Sequence, residues 1–189
     1  RPGLRVPGAW DGFEVAIRAV LGQQITVQRS IQIASRITSA IGTPVEETIP
    51  GLTHAFPRPE HFNLKVLHGM PKARAAALMG VAAATRKDAH LFDPRRDLEE
   101  AVLHLCKLPG IGEWTAQYIA MRALGETDAF LAGDVGVQKG FTVRGKRPTA
   151  SQLLVRAERW RPWRAYAVLH SWMACADIPK TSSPKKRKL

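Results

Sequence analysis

Apolar residues recur along the chain every three or four positions, the period of helices that bury one face. Phe13, Ile17, Val20 and Leu21 form the first such stripe, with Asp11 placed to cap the helix and Gly22 to end or bend it. Thr26 can cap a second helix carrying Val27, Ile31, Ala34, Ile37 and Ile41 on its buried face, and Gly42 stands where a C-terminal glycine belongs. Pro44, Pro50, Gly51, Pro57 and Pro59 then interrupt the period and predict a long connection over 43–62. A short helix is expected over 59–67, followed by an alanine-rich helix over 71–86 with Pro71 in its first turn. Further helices are predicted over 97–108 (on Leu98, Val102 and Leu105), 113–124, 135–141, 151–160 and 163–176, the last opened by Pro162. Alternation of period two is nowhere convincing and there is no internal repeat, so the expected fold class is all-α.

Composition refines this picture at three points. With 189 residues and 45% apolar content the chain can bury a core as one compact domain or two small lobes. No run approaches the roughly 20 apolar residues of a membrane span, so no membrane partner is expected. Two cysteines, Cys106 and Cys175, are too few for a disulfide framework and fit a reducing compartment; no zinc or iron–sulfur spacing is present. The formal net charge of +12 favours a polyanionic partner, nucleic acid first. Four of those charges sit in the final Lys185-Lys186-Arg187-Lys188, in a segment read as a disordered basic tail over 178–189; the rest still carries about +8. Such a tail suits a nuclear localisation signal, a nucleic-acid tether or a solubilising extension.

Chemistry concentrates around Leu108-Pro109-Gly110-Ile111-Gly112. Glycines allow a sharp turn and close approach of another molecule, and the turn feeds a helix N-terminus whose free N–H groups suit a phosphate. An ordinary tight helix connection would use the same residues. Downstream, Asp134 can cap the 135–141 helix. Trp114 and Tyr118 lie four apart on one helix face.

Taken with Trp114-Thr115-Ala116, the Phe130-Leu131-Ala132-Gly133-Asp134 segment, Leu21-Gly22-Gln23-Gln24 and Arg159-Trp160-Arg161-Pro162-Trp163-Arg164, this pattern resembles the helix-hairpin-helix DNA glycosylases, in particular 3-methyladenine DNA glycosylase II. The resemblance runs over about 1–177. It implies a two-lobed helical glycosylase fold lacking the N-terminal β-rich domain of full-length relatives. The central lobe is expected over 26–124, with the hairpin at 97–124, and the second lobe over 1–25 and 125–177.

The resemblance also implies roles. Asp134 becomes the catalytic carboxylate, stabilising positive charge on the deoxyribose or activating water. Trp114, Tyr118 and Trp172 form the pocket for an extruded base. Val135 replaces an aromatic found in some relatives, which would widen that pocket. Gln24 takes the position of the wedge that fills the gap in the duplex. Gly110, Ile111, Gly112, Thr115 and Lys139 are the remaining DNA contacts, with Arg144, Lys146 and Arg147 as possible phosphate neighbours. Trp10, Trp160 and Trp163 are expected in the core.

Bifunctional relatives carry a Schiff-base lysine where this chain has Trp114, so hydrolysis without strand cleavage is expected. No cofactor is required; backbone carbonyls of Cys106, Leu108 and Ile111 match positions that bind a structural Na+ or K+. The implied function is base-excision repair of alkylated purines in double-stranded DNA by a monomer. It would be cytoplasmic, or nuclear if the tail acts as a signal. The competing readings are a non-catalytic hairpin DNA-binding module, a glycosylase for uracil, hypoxanthine or mismatched bases, and an RNA-binding protein, for which no module is recognised.

Overall fold

The computed structural model describes residues 1–46, 49–94 and 97–177, and these are predominantly helical. The basic tail expected at 178–189 lies outside the described residues. Among the described residues eight α-helices follow one another: α1 (Gly12–Gly22), α2 (Val27–Ile41), α3 (Lys72–Lys87), α4 (Leu98–Leu105), α5 (Glu113–Arg122), α6 (Val135–Gly140), α7 (Ala150–Ala157) and α8 (Arg164–Asp177). Their starts are written in the sequence. Asp11 accepts the Phe13 amide, Thr26 the Arg29 amide and Asp97 the Glu100 amide. Thr149 and Gln152 close a reciprocal capping box on α7. Each such cap stabilises its helix by about 1 kcal/mol.

Two stretches depart from expectation. The 43–62 connection contains a minimal antiparallel ribbon, β1 (Thr43–Pro44) on β2 (His54–Ala55), which period-two alternation cannot reveal in strands of two residues. The helix expected over 59–67 shrinks to a single 3-10 turn, Pro59–His61. Beyond it the Asn63 side chain accepts the amides of Lys65 and Val66, a local turn that competes with helix formation.

The core is one continuous cluster, and α1 is its axis. Seven of the eleven α1 residues are buried, because α2, α3 and α5 all pack on it. The segment 1–25, expected to join the lobe of 125–177, thus makes its main helix contacts through α1 with α2, α3 and α5. Helices α4 and α5 pair through the hairpin, and α6 pairs with α8. That last approach is very close: a β-carbon on Gly140 would lie 2.2 Å from the Ser171 carbonyl oxygen. Glycine there lets α8 lie directly on α6, and so brings Trp172 to the N-terminus of α6.

The expected burial fails for α2 and for two tryptophans. Only Ala34 and Ile37 of the α2 stripe are buried, whereas Val27 is 77% and Ile31 54% exposed. Trp10, expected in the core, is fully exposed just ahead of the Asp11 cap, and Trp163 is 57% exposed. Trp160 is half-buried and stacks on Phe141 with ring centres 5.2 Å apart.

Candidate active site

The segment 125–133 carries Asp134 to its place and is pinned along its length. Ala129, Phe130 and Leu131 are buried. The Phe130 amide donates to Gln117 Oε1 at 3.1 Å, and Gln138 Nε2 donates to the Ala132 carbonyl at 3.2 Å. At the other end, Arg164 at the start of α8 donates to Asp128 Oδ1 at 2.7 Å and Oδ2 at 2.9 Å. Asp134 then caps α6, its Oδ1 accepting the Val137 amide at 2.8 Å. A capping carboxylate is fixed in direction by the helix it starts.

Two indoles complete the surroundings of this carboxylate. Trp172 Nε1 donates to Oδ1 at 2.8 Å, and Trp114 Nε1 donates to Oδ2 at 3.1 Å. Trp114 stacks on Tyr118 with ring centres 5.6 Å apart and planes 15° from parallel, while Trp172 lies tilted 6.5 Å from Tyr118. The Arg122 guanidinium sits 6.0 Å from the Tyr118 ring centre. The four residues Trp114, Tyr118, Asp134 and Trp172 therefore form one contiguous unit, although they come from three segments of the chain.

This unit lines a cleft of about 570 Å3. Its opposite wall consists of Arg18 and Gly22 of α1, Ile25 of the turn, and Val27, Ser30 and Ile31 of α2. Period alone assigned Val27 and Ile31 to the core; they instead turn an aliphatic surface towards the aromatic one. Arg18 is tied to Glu14 at 2.6 Å, so its charge at the cleft is matched within its own helix. Another depression, about 440 Å3 and lined by Phe141, Arg159, Trp160, Arg161, Trp163, Ala167 and His170, contains no carboxylate.

The hairpin between α4 and α5 has the geometry its glycines foretold. Gly110 takes φ +78°, and a β-carbon there would meet the Ala77 β-carbon at 2.5 Å. Ile111 is buried, and its amide donates to the Leu108 carbonyl at 3.1 Å. Its side chain thus anchors the turn, and only its backbone is left for contact outside. Gly112 is exposed and caps α5.

Other predicted contacts divide. Gln24 is exposed with φ +57°, and Lys139 is exposed in the last turn of α6. Arg144, Lys146 and Arg147 project from a tight hairpin closed by mutual bonds between Val143 and Lys146. Thr115, like Ile111, turns its side chain inward and leaves only its backbone for contact outside. It is 3% exposed, and its hydroxyl accepts Gln23 Nε2 at 3.0 Å. Gln23 itself was not singled out beyond its motif. Its role spans 87 and 92 positions of sequence, to Gly110 and Thr115, which local pattern cannot expose.

No family model matches the chain. It is 37% identical over 190 residues to a probable bifunctional transcriptional activator/DNA repair enzyme AlkA of Mycobacterium tuberculosis, a match covering 100% of this chain and 38% of that protein. It is 38% identical over 178 residues to DNA-3-methyladenine glycosylase 2 of Escherichia coli, covering 91% of this chain and 61% of that protein. The chain thus spans less than two thirds of the length of either relative. A 3-methyladenine DNA glycosylase of Schizosaccharomyces pombe, solved in complex with abasic DNA, superposes with a TM-score of 0.71 at 25% identity, over 91% of this chain and 84% of that one.

Proposed function

The chain belongs to the helix-hairpin-helix DNA glycosylase superfamily and resembles DNA-3-methyladenine glycosylase 2, and from that premise we propose that it excises alkylated purines, of the 3-methyladenine and 7-methylguanine type, from double-stranded DNA. The observation that carries this reading is the Asp134 carboxylate held by both Trp114 and Trp172 at the wall of an aromatic cleft. Cleavage of an N-glycosidic bond builds positive charge on the sugar, and an oriented carboxylate beside it lowers the barrier electrostatically. Oδ1 carries two hydrogen bonds and Oδ2 one, so Oδ2 keeps a lone-pair direction for the sugar or for the attacking water.

The cleft suits a flipped purine. Tyr118 and the indoles offer aromatic faces that attract a cationic ring by about 0.5–2 kcal/mol per contact. Ile25, Val27 and Ile31 make the other wall largely apolar, with Ser30 and Arg18 as its polar members. Alkylated purines already have weakened glycosidic bonds, so such a permissive pocket suffices. A hairpin module that only binds DNA has no use for a carboxylate braced by two indoles.

The remaining assignments extend this reading. Trp114 stands where a Schiff-base lysine would be, so the reaction is hydrolysis that leaves an abasic site and an intact strand. Gly110 and Gly112 present backbone to a phosphate, Gln24 enters the duplex, and Lys139 meets the backbone nearby. The carbonyls of Cys106, Leu108 and Ile111 flank the turn and are hard oxygen donors, which fits a Na+ or K+ bridging to that phosphate. The enzyme acts as a monomer. Among the described residues no helix is long and apolar enough to cross a membrane.

The test is a panel of duplexes, each holding one modified base, with released base and strand integrity read together. Release of methylated purines from an intact strand is expected. Release of uracil, hypoxanthine or mismatched bases instead would change the substrate, and a borohydride-trapped covalent complex would replace hydrolysis by lyase chemistry.

A further inference from the structure

The turn between α1 and α2 holds a backbone conformation that its sequence does not favour. Gln24 has φ +57°, the left-handed region that side chains other than glycine rarely adopt. Such conformations persist where the surroundings over-determine them. Here they do so through the preceding residue, which is held at its backbone amide, its backbone carbonyl and its side-chain nitrogen. The Gln23 amide donates to the Val20 carbonyl at 3.2 Å, and the Gln23 carbonyl accepts Arg74 at 2.6 Å. The Gln23 side-chain nitrogen donates to the Gly110 carbonyl at 3.0 Å and to the Thr115 hydroxyl at 3.0 Å.

Those partners are not neutral choices. Gly110 is the left-handed glycine of the hairpin turn, and Thr115 lies in the first turns of α5, one residue after Trp114. Arg74 comes from α3, whose Ala77 packs against that same Gly110. One amide thereby joins the exposed tip of Gln24, the hairpin turn and the start of the helix that carries Trp114 and Tyr118.

We infer that Gln23, clamped by Arg74, is a positioning residue that locks the Gln24 tip to the Gly110 hairpin, so that seating the hairpin on DNA drives Gln24 into the duplex. The inference rests on the glycosylase reading above. Gln23 and Arg74 act on extrusion of the base and not on the glycosidic bond, because neither touches Asp134. The cost of extrusion is greatest for a paired base and small for one that has no partner.

The experiment compares single-turnover excision of 7-methylguanine placed opposite cytosine with excision of the same base placed opposite an abasic position. Gln23→Glu keeps the size of the side chain but sets an acceptor against the Gly110 carbonyl. It should slow excision of the paired lesion by about ten- to a hundredfold while changing the unpaired one by less than about threefold. Gln23→Asn, which keeps the amide but shortens the arm, should recover only part of the loss. Thermal melting establishes that each variant is folded, and Arg74→Met, which removes the grip on the Gln23 carbonyl, carries the same test if Gln23→Glu does not fold. Equal loss on both duplexes by a folded variant, or none on either, would overturn the inference and leave the glycosylase reading intact. A wild-type chain that releases base from neither duplex would overturn both.

Discussion

Asp128 and Asp134 stand six residues apart on one loop, and their surroundings are opposite in kind. Asp128 is held by guanidinium groups: Arg164, itself only 5% exposed, binds both its oxygens, and Arg161 binds Oδ2. Asp134 accepts two indole N–H groups and one backbone amide, all of them neutral donors. The first carboxylate is matched charge for charge and fastens the loop to α8. The second is fixed in direction by donors that carry no charge, which suits the cation that the proposed reaction would form on a sugar. What separates the clasp from the proposed catalytic group is the charge of the donors around each.

The same substitution at both positions tests this division. Asp134→Asn keeps the cap and the size of the side chain, and should lower excision by about two to three orders of magnitude with DNA binding retained. Single-turnover release and a gel-shift titration measure the two. Full activity in this variant would remove Asp134 from the chemistry. Asp128→Asn should leave excision per folded molecule near the wild-type rate but destabilise the fold by about 2 kcal/mol, because buried Arg164 keeps only the longer pair with Glu158 at 3.6 Å. Urea unfolding checks that value; an unchanged midpoint would deny the clasp.

A third substitution separates orientation from aromatic contact. Trp172→Phe preserves a ring at the cleft wall and deletes one donor to Oδ1. It should reduce excision by roughly tenfold, the worth of one hydrogen bond to a charged group. A loss of binding with kcat unchanged would mean that the ring, and not its N–H, is what matters.

The smallest effect concerns Glu126, two residues before Asp128. Burial, and then Asp97, Glu99 and Asp128, push its carboxyl above the ordinary range. A raised folded value disfavours the ionised form in the native state. Stability from this group is therefore full below the unfolded value and declines as pH rises through the folded one. Glu126→Gln should remove that decline and stabilise the chain at neutral pH by a fraction of about 1 kcal/mol, since water screens a group this exposed. Unfolding midpoints at acid and neutral pH read the difference; a wild-type midpoint that does not fall relative to the variant's would refute it.

Much of this was legible without coordinates, and the reasons differ by feature. Helix starts at Asp11, Thr26 and Asp134 could be read because capping is local, confined to three residues. The hairpin could be read because Gly110 answers a backbone demand that few other residues meet. Asp134, Trp114, Tyr118 and Trp172 came from resemblance, since their shared geometry joins positions 20 and 38 apart. The inward turn of the Thr115 hydroxyl to Gln23 was hidden for the same reason, since 92 positions separate the two.

The sequence by itself determined where helices begin, where the chain turns, and which carboxylate starts α6, because each of these depends on neighbours in the chain. Tertiary structure decided the rest. Hydrophobic period states that α2 has an apolar face but not whether anything covers it, so Val27 and Ile31 could become cleft wall only once α1, α3 and α5 had taken their places. It also decided which donors reach each carboxylate, and in doing so gave two identical side chains on one loop different surroundings.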